Sequence, residues 1–266
     1  MAIARDARAQ GLRLAMDVRV LPGGERIAVD ADRPMVAASL AKLPIMVAAF
    51  ELAERGELDL EEPVAVCARD LVGGSGVLVH LGPGVTARWG DLVALMIIVS
   101  DNSATNLLLR RIGTRAVAEA AGRLGLVRTV IQNPLEVQRQ PAPAPNTTTA
   151  RDMAQLLSAL VLGQAVSRRA SARMVDLLTR QQDRSRLQSR LPDPASPWVG
   201  GPPRFVVGSK SGHITGIHHD VGFVLGPDTG FVLALLAEGM PADARRAAHI
   251  LGTAARRVFD ALWRES

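Results

Sequence analysis

Apolar and polar residues alternate over residues 12–20 (LRLAMDVRV), the period of a strand with one face buried. After Pro22-Gly23-Gly24 the alternation resumes through 26–29, as in the return arm of a hairpin. The period then becomes helical from about residue 39 to 160, with stops at Gly56, Gly113, Gly122 and Gly125, and helical again over 171–187. Apolar runs at 204–207, 221–225 and 231–237, punctuated by Gly226-Pro227-Asp228 and Gly230, predict antiparallel strands, and a helix over 242–263 closes the chain. Strands at both ends with helices between them imply that the two ends share one sheet. The expected fold is therefore α/β of the α+β kind: an antiparallel sheet flanked by helices, into which an all-helical lobe is inserted. Residues 1–38 with 203–266 form the expected α/β lobe and 39–202 the helical lobe, with the active site in the cleft between them. There are no internal repeats, and only 138–146, with three prolines in five residues, is loop-like at length.

Composition narrows the function classes. A chain of 266 residues with 48% hydrophobic content can bury a substantial core. The net charge of +5 comes from scattered arginines without a run of like charge, and aromatics make up 3% with no tyrosine. Binders of single-stranded nucleic acid stack bases on aromatic side chains, so a nucleic-acid partner is not expected. No run reaches the roughly 18 apolar residues of a membrane span, and residues 1–10 lack the apolar core of an export signal. The chain as given reads as a cytoplasmic monomer, or as the mature part of an exported one. Cys67 is the sole cysteine and is expected to be a small buried thiol.

The candidate chemistry lies in the lysines. Of 31 Lys+Arg residues only two are lysine, at 42 and 210, which leaves 29 arginines. Arginine keeps its proton in proteins, whereas a desolvated lysine amine can release one and act as a base. Lys42 stands in Ser39-Leu40-Ala41-Lys42, at the expected start of a helix. There the free N–H groups and the dipole favour a developing oxyanion, and the three-residue spacing sets the amine beside the hydroxyl. Pro44 agrees with a helix that begins near Ser39. Ser100-Asp101-Asn102 interrupts two apolar helical runs, and Lys210-Ser211-Gly212 closes a valine-rich strand. Alone, each has a plain structural reading: a capping serine with a solvated lysine, a helix break, a strand end at a turn.

Together, in this order, the three motifs match S-x-x-K, S-D-N and K-T-G, and the chain resembles the class A β-lactamase-like serine hydrolases, with the serine β-lactamase and penicillin-binding-protein fold. The likeness runs from the first hairpin to the final helix and includes residues 103–109 (SATNLLL) and 146–149 (NTTT). The resemblance implies that Ser39 is the acylated nucleophile, Lys42 its proton acceptor and Ser100 a proton relay to the leaving nitrogen. It implies further that Asn102 binds a substrate amide, that Lys210 with Ser211 holds a substrate carboxylate, and that the N–H groups of Ser39 and His213 form the oxyanion hole. Gly212 and His219 complete the implied substrate-binding set, His219 falling where the family often has a carboxylate-binding arginine. Glu136 falls, by ungapped counting, on the glutamate that activates the hydrolytic water.

Departures from the family cluster on the loop that carries Glu136. The family's asparagine four residues on is Gln140 here, and its arginine–aspartate pair at the loop's base becomes Pro134 and Asn146. The usual aromatic gate falls on Ser75. His213, His218, His219 and Asp220 look like a metal cluster in sequence, but strand alternation sends neighbours to opposite faces, so neither metal nor cofactor is expected. The expected activity is hydrolysis of a small-molecule β-lactam or related acyl donor through an acyl-enzyme. The alternatives are an esterase or peptidase with the same acylation machinery and a penicillin-binding module that acylates without turnover.

Overall fold

In chain order the computed structural model contains α1 (Ala2–Ala9), β1 (Leu12–Leu21), β2 (Arg26–Val29), β3 (Met35–Val36), α2 (Lys42–Glu54), β4 (Pro63–Ala65), α3 (Leu78–Leu81), β5 (Thr86–Arg88), α4 (Trp89–Ile98), α5 (Asn102–Arg123), β6 (Thr147–Thr148), α6 (Ala150–Val161), α7 (Arg168–Thr179), β7 (Val206–Ile214), β8 (Ile217–Leu225), β9 (Gly230–Gly239) and α8 (Ala244–Leu262). It describes residues 2–135, 144–195, 203–227, 229–240 and 242–263. The two ends of the chain do share a sheet. Five strands run in the order β2-β1-β9-β8-β7, every neighbouring pair antiparallel.

The period-2 pattern decides what each face of that sheet covers. Leu12, Leu14, Met16 and Val18 of β1 and Phe231, Leu233, Leu235 and Ala237 of β9 join one apolar cluster with Ala247, Ile250, Leu251, Ala254, Val258 and Phe259 of α8. The residues between them, Ala15 and then Val232, Ala234 and Leu236, join Val221 and Phe223 of β8 in the cluster that contains the helices α2 and α4–α7. In α2 every residue from Lys42 to Phe50 is buried. A helix apolar on all sides has no wet face to present and goes to the centre. Its first residue is a lysine, so packing alone carries that amine out of water.

Three details differ from the sequence reading. Lys210-Ser211-Gly212 lies in the middle of β7, which continues to Ile214, and β8 begins at Ile217 rather than 221. The strands are longer than their apolar runs because the added residues are polar yet buried. Cys67 is exposed at the start of a short 3-10 turn, not buried. The helical stretch is interrupted by the small hairpin of β4 with β5, while the stop expected at Gly113 is present as a break (φ 79°, ψ 153°).

Candidate active site

Ser39 sits in a 3-10 turn, Ala38–Ala41, that runs directly into α2. The residue before it, Ala38, is held at φ 45°, and Ser100 at φ 58°. Left-handed backbone in a residue with a Cβ costs energy and persists only where surrounding structure enforces it; such residues concentrate at functional sites. Here both flank the same cleft. The Ser39 turn is held from behind by Ala37, whose N–H donates to Asn146 O at 2.8 Å. In front lies β7, close enough that a Cβ on Gly212 would meet Leu40 Cγ at 3.2 Å and Ala37 O at 3.4 Å. Gly212 therefore serves by having no side chain, which lets the edge strand approach the Ser39 turn.

Lys42 Nζ lies 3.2 Å from Ser39 Oγ, 2.9 Å from Ser100 Oγ, 2.5 Å from Ser100 O and 2.9 Å from Asn102 Oδ1. Burial, and then the charge of Lys210, push the amine well below the ordinary lysine range, with Asp101 opposing. A neutral amine has two N–H donors and one lone pair. Two of its four neighbours, the Ser100 carbonyl and the Asn102 amide oxygen, can only accept and so take both donors. The lone pair is left for a hydroxyl, and the Ser39 and Ser100 hydroxyls are the groups within reach. The sequence places an amine beside a hydroxyl, and burial at the start of the helix favours the amine's uncharged form.

Asp101 caps α5 by accepting from Ala104 N (2.9 Å), and its other oxygen accepts from Val77 N (2.7 Å) and Leu78 N (2.9 Å). It fixes the 73–78 loop to the cleft, where a Cβ on Gly76 would collide with its carboxylate. Asn102 donates from Nδ2 to Gly73 O (3.1 Å) and from its backbone to Ser75 O (3.0 Å). Ser75, in the place of the expected gate, lines the cleft with Ser39 and His213.

On the opposite wall, Lys210 donates to Ser100 Oγ at 3.1 Å and to Ser211 O at 2.8 Å. It is completely buried, which departs from the picture of an ammonium open to a substrate carboxylate, and its bonds run to Ser100 and the β7 backbone. Burial lowers its pKa to about 8, against the pull of Asp220 and Asp183. Asp220 is also fully buried and is raised to about 7 by that burial, although its Oδ2 accepts from Leu187 N at 2.9 Å. His219 is a second correction. Its ring is fully buried, Nε2 lies 2.9 Å from Val36 O and Nδ1 accepts from Ala237 N at 3.1 Å, so it is a neutral imidazole locked to backbone and cannot meet substrate. Burial takes its pKa to about 4. His213 and His218 have adjacent, tilted rings 5.3 Å apart, and among the described residues no group of three or more His, Cys, Asp or Glu side chains could hold a metal.

An arginine does stand by this wall, where the sequence reading did not look. Arg186 Nη1 donates to Asp183 Oδ2 at 2.6 Å, and both residues line a cavity of about 410 Å³ with Ser39, Ser100, Ser211 and His213. A pair three residues apart offers no signal in a chain with so many arginines. A second cavity of about 560 Å³ meets the first at Ser39, Ser75 and His213 and is lined by Val36, Pro134, Leu135 and Ile214.

Glu136 and Gln140 lie outside the described residues. The neck of their loop is described, and an amide network closes it in place of an ion pair. Asn146 Oδ1 accepts from Gln132 N (2.9 Å) and Asn133 N (3.0 Å), and its Nδ2 donates to Asn133 O (2.9 Å). Asn106, a residue the sequence reading passed over, brackets Leu135: its Oδ1 accepts from Leu135 N (2.7 Å) and its Nδ2 donates to Leu135 O (3.1 Å).

A serine beside a buried lysine, a second serine bridging two lysines and a five-stranded antiparallel sheet backed by helices define the serine β-lactamase and penicillin-binding class of fold. The sequence profile of the beta-lactamase enzyme family matches residues 2–262, and the chain belongs to that family. A solved β-lactamase from Sphaerobacter thermophilus is 31% identical and covers 98% of this chain and 94% of its own, with a TM-score of 0.89. PBP-A, in a variant with a leucine-to-glutamate substitution solved as an acyl-enzyme with penicillin G, is 27% identical over 98% of this chain and 94% of its own, TM-score 0.85. The beta-lactamase regulatory protein BlaB of Streptomyces cacaoi is 29% identical over 97% of this chain and 96% of its own length.

Proposed function

We propose that the protein is a serine hydrolase that opens β-lactams, or closely related acyl donors, through an ester on Ser39. The observation that carries this reading is the buried Lys42 amine, 3.2 Å from Ser39 Oγ and 2.9 Å from Ser100 Oγ, in a site that favours its uncharged form. Ser39 Oγ attacks the lactam carbonyl and gives its proton to Lys42 Nζ while the carbonyl oxygen takes the charge. The N–H groups of Ser39 and His213 stabilise that oxyanion. Collapse breaks the C–N bond. The leaving nitrogen takes the Ser100 hydroxyl proton, and Ser100 is reprotonated by the Lys42 ammonium, with Lys210 holding Ser100 Oγ in line. Water then adds to the ester carbonyl as Glu136 takes its proton; the adduct breaks its bond to Ser39 Oγ, which regains a proton from the Lys42 side, and Glu136 passes its proton on to restore both groups. Asn102, already bonded through both ends of its amide, serves mainly to orient Lys42 and the 73–75 backbone.

A second reading, in which the ester forms and persists, draws support from Leu135. Leu135, whose backbone is bracketed by Asn106, lines the same cavity as Ser39, and the PBP-A variant was solved as a penicillin G acyl-enzyme. Intact-mass measurement after mixing with benzylpenicillin tests both readings. The first expects an adduct on the wild-type chain that decays with release of penicilloate, and none on Ser39→Ala. A lasting adduct selects the second, and labelling of Ser39→Ala overturns the assignment of the nucleophile.

A further inference from the structure

The wall that would receive a substrate carboxylate already has one. Asp183 lines the cavity that opens on Ser39 and Ser100, and it is bound to the Arg186 guanidinium and to the amide and hydroxyl of Ser185. Ser211 faces it, and these partners hold its acid well below the usual carboxylate range in spite of burial. Arg186, the cation placed to greet an incoming anion, is thus already neutralised. Lys210 is spent on Ser100 and Ser211, with Asp220 buried behind it. Two buried donors are nonetheless left without partners among the described residues: Arg186 Nε and Gln181 Nε2, on residues that line this same cavity. An uncharged carbonyl can accept from this wall without facing Asp183 as a like charge, whereas a carboxylate cannot.

We propose that Asp183 is a specificity residue that turns this subsite against free carboxylates and toward acyl donors bearing a neutral ester or amide carbonyl at that point. The proposal rests on the acylation of Ser39 argued above. A ligand carboxylate entering the cavity meets Asp183 and must compete with it for Arg186 and Ser211. The corresponding ester or amide brings an acceptor oxygen and no charge.

The test is a ratio: the second-order rate of Ser39 acylation by benzylpenicillin divided by that for benzylpenicillin methyl ester, followed by intact mass. Asp183→Asn should raise the acid-to-ester ratio at least tenfold, since a like charge a few ångströms away, at the effective dielectric of a partly buried site, is worth more than one decade. Arg186→Gln, which leaves Asp183 without its counter-ion, should move the ratio the other way. Each ratio is internal to one protein, so a partly unfolded variant lowers both rates and leaves it readable. A ratio that stays within threefold of wild type in both variants overturns the role of Asp183. Absence of any adduct on the wild-type chain with either compound overturns the Ser39 reading, and the Asp183 proposal with it.

Discussion

Replacing Lys42 by arginine isolates the base from the charge. Arginine keeps a cation beside Ser39 and cannot accept the serine proton. In the proposed mechanism the amine's two donors go to Ser100 O and Asn102 Oδ1, and its lone pair accepts the proton of Ser39 Oγ, 3.2 Å away. Loss of a positioned general base costs typically 10²- to 10⁴-fold, or about 2.7 to 5.4 kcal/mol of transition-state stabilisation at 1.36 kcal/mol per decade. Arginine adds a second penalty. A permanent charge would occupy a site with no solvent exposure, where Asp101, the acid that most favours a charge there, has its oxygens engaged by three backbone N–H groups. An uncompensated buried charge costs roughly 3 to 5 kcal/mol of stability, so the variant should also melt well below wild type. Lys42→Gln, neutral and smaller, removes the base without that charge and should lose acylation while melting closer to wild type. The assay is the pre-steady-state rate of acylation by a chromogenic cephalosporin, with thermal melts of the same samples. Acylation by Lys42→Arg within tenfold of wild type would refute the base assignment.

Four further expectations follow. Acylation should fall as pH rises through about 8, where Lys210 loses the proton that it donates to Ser100, and Asp220→Asn should move that alkaline limb to lower pH because the Asp220 charge supports the Lys210 proton; a limb unmoved by the substitution would count against the coupling. The depressed pKa of Lys210 also means that the folded state holds fewer protons than the unfolded one between about 8 and the ordinary lysine value of 10.5, so this group adds stability as pH rises through that window, and urea midpoints would show it. Gly212→Val should crowd Leu40 and the Ala37 carbonyl, cost about 1 to 3 kcal/mol in melting experiments and slow acylation at least tenfold by displacing the Ser39 turn; unchanged kinetics would mean that the turn is not held by this approach. Glu136→Gln should lengthen the life of the penicillin adduct by about 10² or more if Glu136 activates the water, whereas equal lifetimes, combined with a shorter one in Leu135→Glu, would show that the carboxylate is missing from the position that matters.

What the sequence made legible follows a physical division. Ser39, Lys42, Ser100, Asn102 and Lys210 were readable because short-range spacing on regular elements fixes their relations, and because lysine is rare in this chain. The sheet was readable wherever one face is apolar, as in β1 and β9. The same rule shortened β7 and β8: residues 208–213 (GSKSGH) are strand, mostly buried, and contain no large apolar side chain. Sequence pattern and structure part company where polar groups are buried for chemistry. His219 was misplaced by counting along the chain, since nothing in the sequence says that its ring is taken by Val36 and Ala237. Asn106 and Leu135, 29 residues apart, meet only through tertiary structure, and the Arg186–Asp183 pair is local but reaches the cleft wall only in the fold.

The two half-reactions of the proposed chemistry are therefore secured by different means. Acylation uses a 3-10 turn, the start of a fully buried helix, a helix cap and the middle of a strand, and moving any of them would disturb the apolar core. Deacylation depends on the segment between Gln132 and Asn146, whose described neck is held by hydrogen bonds from the two asparagines Asn106 and Asn146. Net hydrogen-bond contributions of about 0.5 to 1.5 kcal/mol each are small beside that core, and loops accept change far more readily than buried helices do. A chain under selection can thus gain or lose a water-activating carboxylate in this segment without touching the machinery that forms the ester. Relatives of one fold that include a β-lactamase, a penicillin-binding protein and a regulator of β-lactamase are what such a division permits. In this protein the balance between them turns on which side chain, Leu135 or Glu136, faces the ester on Ser39.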